Sequence, residues 1–104
     1  MTSYASCAVL SLGSNSDGSV QATVAAAERM VRALPPGVSC NWVGPPPMST
    51  QPRYTSQVAD ALAAALRDKC NFIDSRLFVG GGDHYGGEKA RNWAAGVARS
   101  VKCK

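Results

Sequence analysis

The sequence predicts an α/β domain: a parallel sheet of about three strands, with helices on its faces. Two observations carry that expectation. Three times along the 104 residues, a short apolar run gives way to a stretch with apolar residues every three or four positions. That is the change from a buried strand to an amphipathic helix. The two kinds of segment also alternate one for one, and strands separated by helices pair in parallel through right-handed crossovers.

The first run covers residues 7–12, Cys7-Ala8-Val9-Leu10-Ser11-Leu12, and is bounded by Gly13-Ser14-Asn15-Ser16-Asp17-Gly18. Its length and flanking glycine fit a buried strand. Val20, Val24, Ala27, Val31 and Leu34 then recur at helical spacing. A helix is therefore expected over 18–34, capped by Asp17 or Ser19 and stopped by Pro35-Pro36-Gly37. The second strand, 38–43, is broken by Gly44-Pro45-Pro46-Pro47. Thr55 or Ser56 offers a cap for a second helix over 55–68, with Val58, Leu62, Ala65 and Leu66 as its buried stripe. Residues 70–74, Cys70-Asn71-Phe72-Ile73-Asp74, read as the third strand. A glycine-rich loop carrying Asp83 and His84 leads to a last helix over 87–101, with Ala90, Trp93, Ala94, Val97 and Val101 on one face.

The length fits one domain spanning residues 1–104, and an apolar share of 45% is enough for an ordinary core. Eleven basic against seven acidic side chains leave a formal charge of +4. The cations are scattered and not interleaved with aromatics, so they read as solvated helix faces and not as a nucleic-acid surface. No run approaches the length that spans a bilayer, and no basic segment followed by an apolar one marks a signal peptide. Cys7, Cys40, Cys70 and Cys103 include no Cys-x-x-Cys pair for zinc or dithiol chemistry. Three of them lie in or beside apolar runs, where a free Cys behaves as a small hydrophobe. A disulfide among them is also open.

Ligands of an open parallel sheet bind beyond the carboxyl ends of its strands. Four features fall at that rim: Gly13-Ser14-Asn15 after the first strand, the Pro45–Pro47 turn after the second, Asp74 after the third, and then the Asp83-His84 loop. His84 is the sole histidine, and imidazole is the side chain that takes and returns a proton near neutrality. Asp83 or Asp74 can orient it through its other ring nitrogen, although either carboxylate also serves as a turn or loop cap. Asn15 can donate an amide N–H to an oxyanion, or close an Asx turn. A nucleophile is harder to find. Ser11, Ser14, Ser49, Thr50 and Ser75 are present, but none sits at the glycine-flanked strand-to-helix turn that activates a serine. No metal-ligand spacing and no cofactor motif stands out, and no Walker lysine follows Gly13–Gly18.

Together these segments resemble the C-terminal part of an SGNH (GDSL-type) hydrolase, a family of esterases, lipases and carbohydrate O-deacetylases. Val9-Leu10-Ser11-Leu12-Gly13-Ser14-Asn15 is similar to the family's strand ending in Gly-x-Asn, Trp42-Val43-Gly44-Pro45 to its strand-and-proline turn, and His84 through Ala94 to its histidine loop and final helix. The resemblance implies a three-layer flavodoxin-like fold, truncated to about three strands and three helices. It also implies His84 as general base with Asp83 or Asp74 behind it, an oxyanion hole with Gly13 and Asn15, no cofactor, and a small-molecule or carbohydrate ester as substrate. The pattern departs from the family in four places, the first being that the residue after Asn15 is Ser16, with the family's Asp displaced by one to Asp17. The Gly-Asp-Ser block that supplies the nucleophile is absent, as is the block with the oxyanion glycine. The family's Asp three residues before the catalytic His falls on Gly81. The nucleophile is thus expected from a missing N-terminal segment or another chain. The alternative is a non-catalytic remnant that binds or assembles. Leu12-Gly13-Ser14-Asn15 also resembles the opening of a pterin pyrophosphokinase, but the Asp-x-Asp that family needs for magnesium does not occur.

Overall fold

A computed structural model of the chain describes residues 7–11, 19–45, 52–78 and 87–103. Strands β1 (Cys7–Ser11), β2 (Ser39–Val43) and β3 (Asn71–Ile73) alternate with helices α1 (Val20–Arg32), α2 (Pro52–Leu66) and α3 (Gly87–Ser100). A single 3-10 turn, Ser75–Leu77, follows β3. The sheet is parallel throughout, in the order β1-β2-β3.

Register decides which side chain faces which layer. Leu10, Trp42 and Phe72 stand in one row across the sheet, while Val9, Asn41 and Asn71 stand in the next, on the opposite face. The Leu10–Trp42–Phe72 face meets α1 and α2. There Trp42, Val58, Leu62, Leu66 and Ala27 are fully buried, flanked by Val24, Val31 and Tyr54. Two successive right-handed crossovers in a 1-2-3 sheet put both connecting helices on the same side, which is why α1 and α2 share this layer. The other face carries α3.

Local chemistry sets the element ends. Ser19 caps α1 by accepting from the Ala22 N–H at 3.1 Å. After Ala33 the chain reverses through Pro35-Pro36-Gly37, where Gly37 takes φ +86°, a conformation that side chains resist. Helix α2 begins at Pro52, so Thr55 and Ser56 lie inside it and do not cap it. A proline suits the first helical turn because its missing N–H would have no partner there. The third strand ends at Ile73, one residue short of expectation, because Asp74 caps the 3-10 turn instead. Gly44 is required by packing: a Cβ there would come within 2.6 Å of the Phe72 ring. The Phe78 ring likewise occupies the space of a Cβ at Gly96, so α3 lies close to the turn after β3.

All four cysteines are paired, Cys7 with Cys103 and Cys40 with Cys70, so none is a free hydrophobe. Both bridges sit at the amino ends of the strands. Cys40–Cys70 staples the starts of β2 and β3, and Cys7–Cys103 ties β1 to the segment after α3. Loop closure predicts stabilisation of about 3.5–4 kcal/mol for the shorter loop and about 4.5–5 kcal/mol for the longer.

Between the bridges lies Asn41, with no exposed surface. Its Nδ2 donates to the carbonyls of Ala8 at 3.3 Å and Lys102 at 2.9 Å. Its Oδ1 accepts from Asn71 Nδ2 at 2.9 Å and from the Lys102 N–H at 2.8 Å. Every donor and lone pair of the amide is used. Asn71 Nδ2 also donates to the Ser100 carbonyl at 2.7 Å, holding the end of α3. Truncation by Asn41→Ala strands several buried groups at once. Urea denaturation should show a loss of about 3 kcal/mol, and a loss below about 1 kcal/mol would mean that the amide does not bind the sheet to α3.

Candidate active site

The carboxyl ends of the strands are reached at Ser11, Val43 and Ile73. At this rim the chain continues from β2 into Gly44-Pro45 and from β3 into Asp74-Ser75-Arg76. Ser75 is completely buried and acts as a clasp. Its Oγ donates to the Gly44 carbonyl at 2.6 Å and accepts from Trp93 Nε1 at 2.9 Å. The Ser75 proton is thereby committed to a carbonyl, which removes this hydroxyl from the candidate nucleophiles.

The clasp fixes the direction of α3. Trp93 sits by Ser75 at the carboxyl rim, whereas Ser100 and Lys102 meet Asn71 and Asn41 near the amino ends. The helix therefore runs back down the sheet. Gly87, six residues before Trp93, stands about 9 Å further toward and beyond the rim at the helical rise. The first turn of α3 carries Glu88.

Asp74 is the one sequence-predicted site residue among the described residues. Its carboxylate faces Arg76: Oδ1 accepts from Arg76 Nε at 2.9 Å and from the Arg76 N–H at 3.0 Å, and Oδ2 from Nη2 at 2.8 Å. The same guanidinium reaches Asp60 of α2 at 3.0 Å and Ser56 Oγ at 3.2 Å. The hydrogen bonds from Arg76 hold the Asp74 carboxyl below its ordinary range, against the opposing effect of burial. Those to Asp74 chiefly, with Asp60 second, push Arg76 above its own. Three of the roughly four lone-pair positions on Asp74 are thus occupied, leaving room for about one further donor such as an imidazole N–H. Sequence reasoning missed Arg76. An Asp two residues before an Arg, just after a strand, is the pattern that could have exposed it. The contribution of Asp60 from α2 was not visible locally.

Gly13, Asn15, Asp83 and His84 lie outside the described residues, as do Ser14, Ser49 and Thr50. Ser11 is described, exposed, and at the rim end of β1. It closes one end of an apolar groove of about 380 Å³ between β1 and α3, walled by Val9, Val43, Trp93, Val97 and Val101. Among the described residues no three His, Cys, Asp or Glu side chains converge as metal ligands, and no helix is long and apolar enough to cross a membrane.

Compared with known proteins, the chain matches no family model, no curated protein and no solved structure.

The Asp74–Arg76 pair implies a defined acid response. A carboxyl whose folded pKa lies below its unfolded value stabilises the fold above the unfolded pKa, near 3.9, and loses that contribution as pH falls through the folded value. Wild type should therefore lose stability below about pH 4 more steeply than Asp74→Asn. Parallel acid curves for the two proteins would show that the pair contributes nothing.

Proposed function

We propose that this chain forms the base-and-oxyanion part of an ester hydrolase of the SGNH (GDSL) type, with a flavodoxin-like sheet as its frame. One observation carries the reading. The chain leaves β1 at Ser11 and enters α3 at Gly87 on the same carboxyl rim where Asp74 stands. Asn15 follows Ser11 by four residues and His84 precedes Gly87 by three, so both are assigned to the stretches of chain that leave and re-enter the described residues at that rim. A few residues of chain span at most roughly 3.5 Å each.

In this reading a serine from outside residues 1–104 attacks the ester carbonyl. His84 accepts the serine proton and returns it to the departing alcohol. Asn15 and the Gly13 N–H donate to the developing oxyanion. Asp83, or Asp74 through its remaining lone pair, holds the imidazole in the productive tautomer. The substrate class is a small-molecule or carbohydrate ester, and no cofactor is required.

A second reading, a binding or assembly module, is favoured by β1 itself. Among the described residues β1 is an edge strand; it has no charged residue and no proline, and Val9 at its centre is 52% exposed. Edges of that kind invite pairing with another strand.

Two measurements separate these readings. An aryl acetate assay should show background turnover for the chain alone. Fusion to a segment bearing a Gly-Asp-Ser block should restore activity, and His84→Ala should then remove at least about a thousandfold of it. Full turnover by the isolated chain, or indifference to His84→Ala, would refute the assignment. For the second reading, Val9→Lys should convert any self-associated fraction to monomer in sedimentation velocity. An unchanged distribution would exclude β1 as the assembly edge.

A further inference from the structure

The two disulfides differ in access. Cys40 and Cys70 are each only 8% exposed and belong to the core cluster on the α1–α2 side of the sheet. Cys103 is exposed, and its bridge to Cys7 lies on the other face of the sheet. Cys103 also walls a cavity of about 330 Å³ at the amino ends of β2 and β3, shared with Ser39, Asn71, Lys69 and Lys102; Cys40 borders it too, but as a buried residue. Two lysines border this opening. Among the described residues Glu28 meets Lys69, 3.8 Å from its ammonium, in a half-exposed contact of the kind that solvent screens. The Ser39 hydroxyl, buried at the same place, has no hydrogen-bond partner among the described residues.

We propose that Cys103 is a thiol-exchange site for a small anionic thiol. Such a thiol carries carboxylates that Lys69 and Lys102 attract, and its sulfur approaches the exposed end of the bridge. The thiolate attacks Cys103 Sγ and forms a mixed disulfide there. The electron pair of the broken sulfur–sulfur bond leaves with Cys7 Sγ, which takes a proton from water. A second equivalent of thiol completes reduction, releasing the symmetric small disulfide and the Cys103 thiol.

The exchange has a structural consequence. Residues 101–103 are held by the bridge and by the paired hydrogen bonds between Asn41 and the Lys102 backbone. Once the bridge opens, residues 102 and 103 are held by those bonds and by the continuation of the chain from Val101, whose N–H still donates to the Val97 carbonyl at 3.1 Å. The Cys40–Cys70 staple and the α1–α2 core stay closed. One face of the domain is thereby loosened without unfolding the other.

The test uses the oxidised chain without substitution. It is exposed at equal thiolate concentration and low salt to glutathione, 2-mercaptoethanol or cysteamine, then trapped by alkylation and mapped by mass spectrometry. The first adduct should be one glutathione on Cys103, with Cys7 alkylated and Cys40–Cys70 intact. Glutathione should react at least about tenfold faster than cysteamine, and added salt should erase the difference. The variant Lys69→Gln/Lys102→Gln keeps the backbone bonds of residue 102. It should lose the preference for glutathione while its rate with 2-mercaptoethanol is unchanged. Hydrogen exchange of the Lys102 amide should accelerate at least about a hundredfold in the singly opened protein, with the Trp42 and Val43 amides unaffected. A first adduct on Cys7, Cys40 or Cys70, cysteamine reacting as fast as glutathione, or an unchanged Lys102 amide would each overturn the proposal.

Discussion

The buried amide of Asn41 is the constraint on which the arrangement of layers depends. A strand interior normally presents apolar side chains to a covering helix, and here the central strand presents an amide with no access to water. Such a group is tolerated only when each of its hydrogen-bonding positions is filled. The partners come from β1, β3 and the segment after α3. No rotation or sliding of α3 preserves all of them. Apolar packing would have held the helix against the sheet about as well, but with less definition of its register. The amide exchanges a tolerant contact for a specific one.

That specificity divides the molecule along the strand axis. At the amino ends, two disulfides and the Asn41–Asn71 amides join β1, β2, β3 and the chain after α3 into one rigid base. At the carboxyl ends, the described residues are joined by the Ser75 clasp on Trp93 and the Arg76 bridge between Asp74 and Asp60. A parallel sheet is well suited to this division, because its loops diverge at the carboxyl rim while the frame is fixed elsewhere. Residues that must meet a ligand can then differ without disturbing the core.

The periodic part of this architecture was legible in the sequence. Val20, Val24, Ala27 and Val31, and again Val58, Leu62 and Leu66, announce helix faces, and those faces pack against Trp42 and Phe72 as expected. The boundary of α2 was not, because Thr55 is a good cap by its chemistry and yet lies buried inside the helix, which opens at Pro52. Asn41 was equally opaque: a polar residue between Cys40 and Trp42 gives no hint that four groups distant in sequence converge on it. The pairing of the cysteines depends on the register of β1 on β2 and of β2 on β3, which periodicity does not specify. Asp74 stands just past the end of β3, where the chain order had put it, but its tie to Arg76 and Asp60 needed the neighbouring helix. Gly13, Asn15, Asp83 and His84 were chosen for their chemistry and their place in the chain order, and the described residues fix only where their loops begin and end.

The bridge between Cys7 and Cys103 also has a mechanical meaning. These residues lie 96 positions apart in sequence but only 5.1 Å apart between their Cα atoms. A pull applied outside the pair passes through two side chains and a covalent bond, and bypasses the sheet. While the bridge is closed, the intervening chain carries no load, and no tension exerted from outside the pair can peel β1 from β2. A proteolytic cut anywhere between the two positions likewise leaves both pieces covalently joined. Tethered in this way, the domain behaves toward its surroundings as a closed ring, and its resistance to force is set by one bond.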